Sequence, residues 1–400
     1  MKKLYANFIF SWLVQVISFL SPLIVMPYLS RVFSVSDFGF LSIVWSISLI
    51  SLVITEFGFN MAGPYFLSKR KYSVRKVSNY LLSSVIIKAI ICLILLFLAV
   101  IIYLFFELCS IAVFVSIVLN VIFLTFQLPW FFQGIEEVKN ITFITLCSRL
   151  SYLLLIFIFI GDDSSVELCI YLLTLSNFLG FLISTYIIFS RHKIILVKQN
   201  VRYVKAVLLN TKHFAISRLS VTIYTYFNNL FVGANLGAAS SAIYTCSEKL
   251  YSAGQSITSP VATVLYPYLN RTKDKALFYK VLVLTLIPII SGVIFSMIYA
   301  EEILMLVFGE KYSEGGDILR IFLIISIINY LSVNYGYPAL ALKNKINVAN
   351  ASVIYGAILQ ISFLFAIYWF YDFTVIKMVV SILIVEIFVL LYRVFFYYRG

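Results

Sequence analysis

Charge is what this 400-residue sequence has least of: Asp, Glu, Lys and Arg make up 12% of it, roughly half the share of an ordinary globular protein. With 62% apolar residues beside that scarcity, a soluble chain of two or three domains is excluded and a polytopic membrane protein remains. Histidine is nearly missing, with only His192 and His213 in the central segment. The five cysteines, Cys92, Cys109, Cys147, Cys169 and Cys246, contain no CxxC pair, so they read as small apolar side chains and not as a metal site. Cys109 and Cys169 both fall near the outer face, where a disulfide is a minor alternative. Long polar loops are absent too. A net charge of +13 would suit nucleic acid only on a folded basic domain, and no loop exceeds roughly two dozen residues.

What is present is apolar sequence in lengths that cross a bilayer. A helix of about 20 residues satisfies its own backbone and matches about 30 Å of hydrocarbon. Such stretches run over 7–29, 40–66, 80–106, 111–133, 141–160, 166–189, 213–236, 242–269, 281–300, 317–342, 347–370 and 375–397. The basic lead Lys2–Lys3 continues past Pro22 and Pro27 without a small-residue cleavage site, which marks a retained first helix and not a signal peptide. The expected fold is all-α, with about twelve membrane helices in two pseudo-twofold-related lobes of six around a central cavity. The lobes are expected at 1–190 and 213–400, joined by a basic segment at 191–212. Bases gather around Lys69, Arg70, Lys71 and Lys76, along 191–212, from Arg271 to Lys280, at Lys343 and Lys345, and in the tail, while acids gather in the opposite loops at Asp162, Asp163, Glu301, Glu302, Glu310, Glu314 and Asp317. That asymmetry places both termini in the cytoplasm.

Two echoes support a duplication. "VFSVSDFGFL" (Val32 to Leu41) joins helices one and two as "NLGAASSAIY" (Asn235 to Tyr244) joins seven and eight, and Pro129 and Pro338 stand in matching places near the ends of helices four and ten.

Charges inside predicted spans are the informative residues, because an ionised group facing lipid at mid-bilayer costs at least about 2.5 kcal/mol and so needs a partner or a watery cavity. They are Glu56, Lys88, Arg149, Arg218, Glu248, Lys249, Arg320 and Glu386. Arg149 falls on the order of 13 Å deep and Lys88 about 12 Å, counted at the helical rise. The lysine stem can snorkel back to the surface. Arg218, close to Lys212 and His213, reads equally as interfacial. Consecutive Glu248 and Lys249 point about 100° apart on a helix, so one is expected to face the lumen and the other to pair sideways. Arg320 has Glu314 and Asp317 within reach. Glu56 either takes part in proton or sodium coupling or neutralises a cation such as Arg149 or Arg218. The excess of internal cations suits an anionic substrate, with arginine able to clamp phosphate through its planar fork. Asn177, Asn228, Asn229, Asn334 and Gln360 add hydrogen-bonding groups of the kind sugars meet.

The polar interruption "PWFFQGIEEVKNI" (Pro129 to Ile141) reads as a cytoplasmic turn. Trp130, Phe131 and Phe132 suit the membrane interface, Gly134 suits a helix end, and Glu136 and Glu137 face the basic loops of the same side.

"LPWFFQGIEEVKNIT", "TEFGFNMAGPYFLSKRK" and "FLSPLIVMPYLSRVFSVSDFGFLS" together resemble the Wzx-type O-antigen flippases of the multidrug/oligosaccharidyl-lipid/polysaccharide exporter superfamily. The resemblance covers essentially the whole chain. It implies a flippase, not an enzyme, that moves an undecaprenyl-diphosphate-linked oligosaccharide repeat unit from the cytoplasmic to the periplasmic leaflet of a bacterial inner membrane by alternating access. It implies a V-shaped cavity lined by helices one, two, seven and eight, with Glu56, Arg218, Glu248 and Lys249 as cavity residues; depth adds Arg149 and Lys88, and Arg320 completes the candidate set. Membrane lipid, an O-antigen polymerase and a chain-length regulator are the further candidate partners, with no nucleic acid, metal or cofactor. The alternatives are a multidrug exporter of the same superfamily and a membrane-embedded polysaccharide polymerase or ligase. Short external loops and the lack of histidine outside the central segment weigh against the enzyme.

Overall fold

Helix caps set by single side chains begin several of the elements. Ser34 Oγ accepts from the Asp37 amide and donates to its carboxylate at the start of one helix. Asp274 and Thr374 accept from the amides three residues on at the start of two others. Such caps satisfy amide donors that a helix N-terminus leaves without intrahelical partners. The computed structural model describes the backbone of residues 2–68, 73–106, 109–192 and 194–399, and their side chains apart from residues 2–8, 12, 19, 68, 217, 220, 221, 223–225, 259, 260, 263, 264 and 267. Lys69, Arg70 and Lys71 of the first basic loop lie outside the described residues.

Among the described residues every regular element is a helix: α1 (Lys2–Val32), α2 (Val35–Glu56), α3 (Phe59–Ser68), α4 (Val74–Phe106), α5 (Ile111–Thr125), α6 (Pro129–Gly134), α7 (Val138–Phe159), α8 (Val166–Arg191), α9 (Val201–Thr272), α10 (Lys275–Ile298), α11 (Ala300–Phe308), a 3₁₀ turn (Glu310–Gly315), α12 (Gly316–Tyr335), α13 (Tyr337–Leu342), α14 (Ile346–Phe370) and α15 (Val375–Tyr398). Ten segments among the described residues are long and apolar enough to cross a membrane. The seventh and eighth expected spans lie within α9, a 72-residue run whose interior leaves helical geometry at Gly237 (φ 84°, ψ 173°). α9 also takes in residues 201–212, so the later part of the basic connecting segment is helical.

The chain divides into two compact units, one of Met1–Val32 with Val44–Thr222, the other of Phe33–Ile43 with Ile223–Gly400. The short segment Phe33–Ile43 is thus built into the second unit, for a steric reason. A Cβ on Gly39 would come 1.7 Å from the Ala238 carbonyl oxygen, so the missing side chain lets the two backbones touch. Ser42 and Ser241 hydroxyls then lie 2.9 Å apart, and Asn229 Nδ2 donates to the Ser42 carbonyl at 3.3 Å. These are the two echoing segments of the sequence.

The duplication is visible within each unit. α5 stops at Thr125, Leu128 turns left-handed (φ 52°) and Pro129 opens the six-residue α6. α12 stops at Tyr335 and Pro338 lies in the first turn of the six-residue α13. α5 to α8 and α12 to α15 follow one another in the same order and nearly the same lengths.

The expectation for "PWFF" is corrected by the packing. Trp130, Phe131 and Phe132 are almost wholly buried in a core cluster with Phe59, Leu67 and Tyr80, so they face protein and not lipid headgroups. The reason is Gly63 on α3, where a Cβ would stand 2.1 Å from the indole; a Cβ on Gly134 would stand 2.6 Å from Leu67. Two glycines let α3 and α6 close on each other, and the aromatics fill the joint. Cys92, Cys109, Cys147, Cys169 and Cys246 are all free thiols, so the Cys109–Cys169 bridge is absent.

Candidate functional site

A helix that stops inside a membrane exposes carbonyls that no water reaches, so a side chain must serve them. In the first unit Lys88 of α4 does this, donating from Nζ to the Thr125 carbonyl at 3.0 Å with none of its surface exposed. Ser184 of α8 donates to the Gln127 carbonyl, two residues on. Thr55 joins from α2, its hydroxyl 2.7 Å from that of Thr125. Glu56, buried beside it, accepts from Asn60 and interacts electrostatically with Lys88. Lys88 is therefore a helix cap with a carboxylate as its neighbour, not a cation held out to a cavity. Lys88, and not the expected Arg149 or Arg218, is the cation with which Glu56 interacts electrostatically.

A polar ladder crosses the same unit. Asn120 of α5 donates to Ser48 of α2 at 3.0 Å, Asn177 of α8 donates to Asn120 at 2.8 Å, and Ser148 of α7 donates to Asn177 at 3.2 Å. This ladder directs Ser148 towards α8, and the next residue, Arg149, leaves the helix about 100° away. Arg149 stands near the middle of the 22-residue α7. It is half-buried, Tyr152 is its electrostatic neighbour, and its guanidinium makes no hydrogen bond or ion pair with any described residue. Arg218 of α9 is likewise half-buried, and its guanidinium has no described partner; only its carbonyl is engaged, by Thr222. One turn before it, Phe214 and Ala215 pack against Gly58, the left-handed residue (φ 74°) that kinks the chain between α2 and α3, where no Cβ would fit.

The remaining candidates are partnered. Lys249 and Glu248 form an ion pair with each other at 3.2 Å. Long, flexible side chains cover the angular gap between adjacent positions. Arg320 is held at the acidic end of α12 by Asp317 at 2.7 Å and Glu301 at 2.9 Å, and also donates to the Met297 carbonyl. The structure thus brings Glu56 and Lys88 together and pairs Glu248 with Lys249, while Arg149 and Arg218 keep open guanidinium groups. The buried amides also have internal work. Asn228 accepts from Gln360 at 3.1 Å, Asn229 Oδ1 accepts from Ser241 and Thr245, and Asn334 donates to the Tyr330 carbonyl.

One important residue escapes the sequence reading, and a second, Glu386, is named there only as a charge within a span. Arg393, which the charge pattern assigns to the basic tail, is buried in the second unit. It donates from Nη1 to the Ser332 carbonyl at 2.7 Å and from Nε to Ser352 Oγ at 2.8 Å, holding the end of α12 before its break. Glu386 accepts from Asn329 at 3.2 Å, and Asn329 accepts from Gln255 at 2.8 Å. The signal was in the repeat spacing. The separation of Pro129 from Pro338 also carries Asn120 to Asn329, Asn177 to Glu386 and Ser184 to Arg393.

With broken helices, capped carbonyls and matching ladders in each unit, comparison with known proteins becomes specific. Residues 4–273 match the model of the polysaccharide biosynthesis protein family. The chain belongs to that family. It is 22% identical over 398 residues to a protein of Shigella dysenteriae named "Putative O-antigen transporter", covering 98% of each chain. A protein of the same name from Escherichia coli (strain K12) is 26% identical, covering 86% of this chain and 84% of the relative. The fold is that of the superfamily these motifs suggest. It is similar to the lipid II flippase MurJ in an inward closed conformation (TM-score 0.75, 14% identity, 97% of this chain and 87% of that one). It is equally similar to an inward-facing multidrug resistance transporter of the MATE family (TM-score 0.74, 13% identity, 96% and 95% covered).

Proposed function

We propose that this chain is a flippase carrying an undecaprenyl-diphosphate-linked oligosaccharide repeat unit, the O-antigen unit, from the cytoplasmic to the periplasmic leaflet of a bacterial inner membrane by alternating access. The observation that carries this reading is the open guanidinium of Arg149 halfway along a membrane helix. A cation in low dielectric without a counter-ion attracts an anion strongly and repels a cationic drug. A diphosphate offers anionic acceptor oxygens on two neighbouring tetrahedral phosphates, which the planar donor fork of arginine can clamp. Arg218, open in the same way, is the second contact. The curated relatives' names agree with a transport role and O-antigen cargo. Both termini lie in the cytoplasm in this reading, on the side of the basic loops.

The test is genetic and chemical. Deleting the gene leaves complete lipid-linked repeat units in the cytoplasmic leaflet, out of reach of periplasmic enzymes. Arg149→Ala reproduces most of the defect, because losing one charge-assisted phosphate contact is worth about 2 kcal/mol, roughly thirty-fold in flux. Protein level and unfolding temperature stay unchanged. Units that reach the periplasm in a deletion strain without a redundant flippase overturn the assignment, and sensitivity to cationic drugs in that strain selects a multidrug exporter instead.

A further inference from the structure

A groove of about 560 Å³ lies between the start of α7 and the end of α8, lined by Lys139, Asn140, Phe143, Tyr186 and Arg191 among others. Its chemistry is divided. Lys139 and Arg191 form the polar end, both exposed, and neither side chain has a hydrogen bond or ion pair with a described residue. Phe143, Leu182 and Tyr186 are 53%, 45% and 70% exposed on the flanks of two membrane-spanning helices, where the medium that meets them is lipid. Acid nearby is already engaged: Glu137 accepts from Asn140 at 2.7 Å and lies 3.4 Å from His192. Two open cations therefore stand over an apolar slot on the face of the protein that carries its basic loops.

We propose that this groove binds an anionic phospholipid, with Lys139 and Arg191 on the headgroup phosphate, the Tyr186 hydroxyl beside it, and Phe143 and Leu182 against an acyl chain. Basic pockets between membrane helices at the cytoplasmic face match such headgroups in charge. A free phosphate would use the two cations and leave the apolar flank unused. The duplication supplies an internal comparison. At the repeat spacing, Lys139 corresponds to Val348 and Tyr186 to Phe395, and Val348 packs against a core cluster of the second unit. The second unit has no lysine at the position that Lys139 holds in the first. This inference is independent of the proposed cargo, since it concerns a lipid held outside any transport path.

Native mass spectrometry of the purified full chain, with cardiolipin, phosphatidylglycerol or phosphatidylcholine added in equal amounts, tests it. The expected result is retention of the two anionic lipids and loss of one tightly held copy in the double variant Lys139→Gln, Arg191→Gln, with affinity reduced roughly tenfold or more. The control Lys198→Gln, Arg202→Gln removes equal charge from the connecting segment and leaves the adduct in place. Inorganic phosphate at millimolar concentration does not displace the lipid. Equal retention of phosphatidylcholine, an unchanged adduct in the double variant, or displacement by phosphate overturns the proposal. All side chains changed are exposed, and an unfolding curve for each variant shows that lost binding is not lost folding. The readout needs no transport, so it stands or falls apart from the flippase reading.

Discussion

The two units meet the same difficulty, a membrane helix that ends inside the protein, with different chemistry. In the first unit the break after α5 is served by an ammonium from α4 and a hydroxyl from α8, Lys88 and Ser184. In the second, the end of α12 is served by a guanidinium from α15, Arg393, at the position that Ser184 holds in the repeat. The ladders differ in the same direction: Asn120 with Asn177 is neutral, whereas Asn329 with Glu386 contains a carboxylate. The requirement that exposed carbonyls receive donors is imposed by backbone geometry and recurs in both units. Which helix supplies the donor, and with what charge, is free to vary so long as the group is not left alone in low dielectric.

The largest effect that would test this comparison is at its centre. Arg393→Ala strands the Ser332 carbonyl and two serine hydroxyls, and loses about 3 kcal/mol or more, against about 1 kcal/mol for Ser184→Ala. Thermal unfolding of the purified variants in detergent measures both. Equal losses would mean that the two positions do the same work despite their chemistry. Lys88→Met follows, at about 2 to 3 kcal/mol, because it removes a cap and isolates Glu56. Adding Glu56→Gln restores about 1 kcal/mol through their coupling in a double-mutant cycle, and strict additivity would sink the pairing.

Gly63→Ala comes next. A methyl group driven into Trp130 costs about 1 to 3 kcal/mol as overpacking. The second unit has Ala339 where the first has Trp130, packed with Leu265 and Leu269, so Ala339→Gly there is milder, about 1 kcal/mol from helix propensity. The smallest effect is Arg320→Ala, within about 1 kcal/mol, because its carboxylate partners are open to solvent and screened. A loss as large as that of Arg393→Ala would show that exposure is a poor guide to the weight of ion pairs in this protein.

Much of the fold could be read directly. Long apolar runs fix the helices, Pro129 and Pro338 mark the broken ends, and the loop charges separate two faces. The site was less legible, and for one reason: depth along a helix follows from sequence position, but the direction a side chain faces and the group it meets do not. Lys88 and Arg149 stand at similar depths by residue count, yet one caps a carbonyl and the other keeps its guanidinium open. Trp130, Phe131 and Phe132 have the composition of an interfacial belt and the location of a core, because two glycines brought α3 against α6.

By itself the sequence determined that the chain lives in a membrane, that it is helical throughout its spans, and that its second half echoes the first at two matching places. These follow from hydropathy, from the demand that a backbone in lipid satisfy itself, and from spacing, all of which are properties of the chain in one dimension. Only the tertiary structure decided which charges are spent within the protein and which are not. Lys88 and Arg393 are committed to helix ends, Glu248 to Lys249, and Arg320 to the acidic turn, while the guanidinium groups of Arg149 and Arg218 have no partner among the described residues. The physical reason is that pairing at a few ångströms depends on which helix faces are brought together, and that is set by close packing such as occurs at Gly39, Gly58 and Gly63, where a missing Cβ lets segments close on each other.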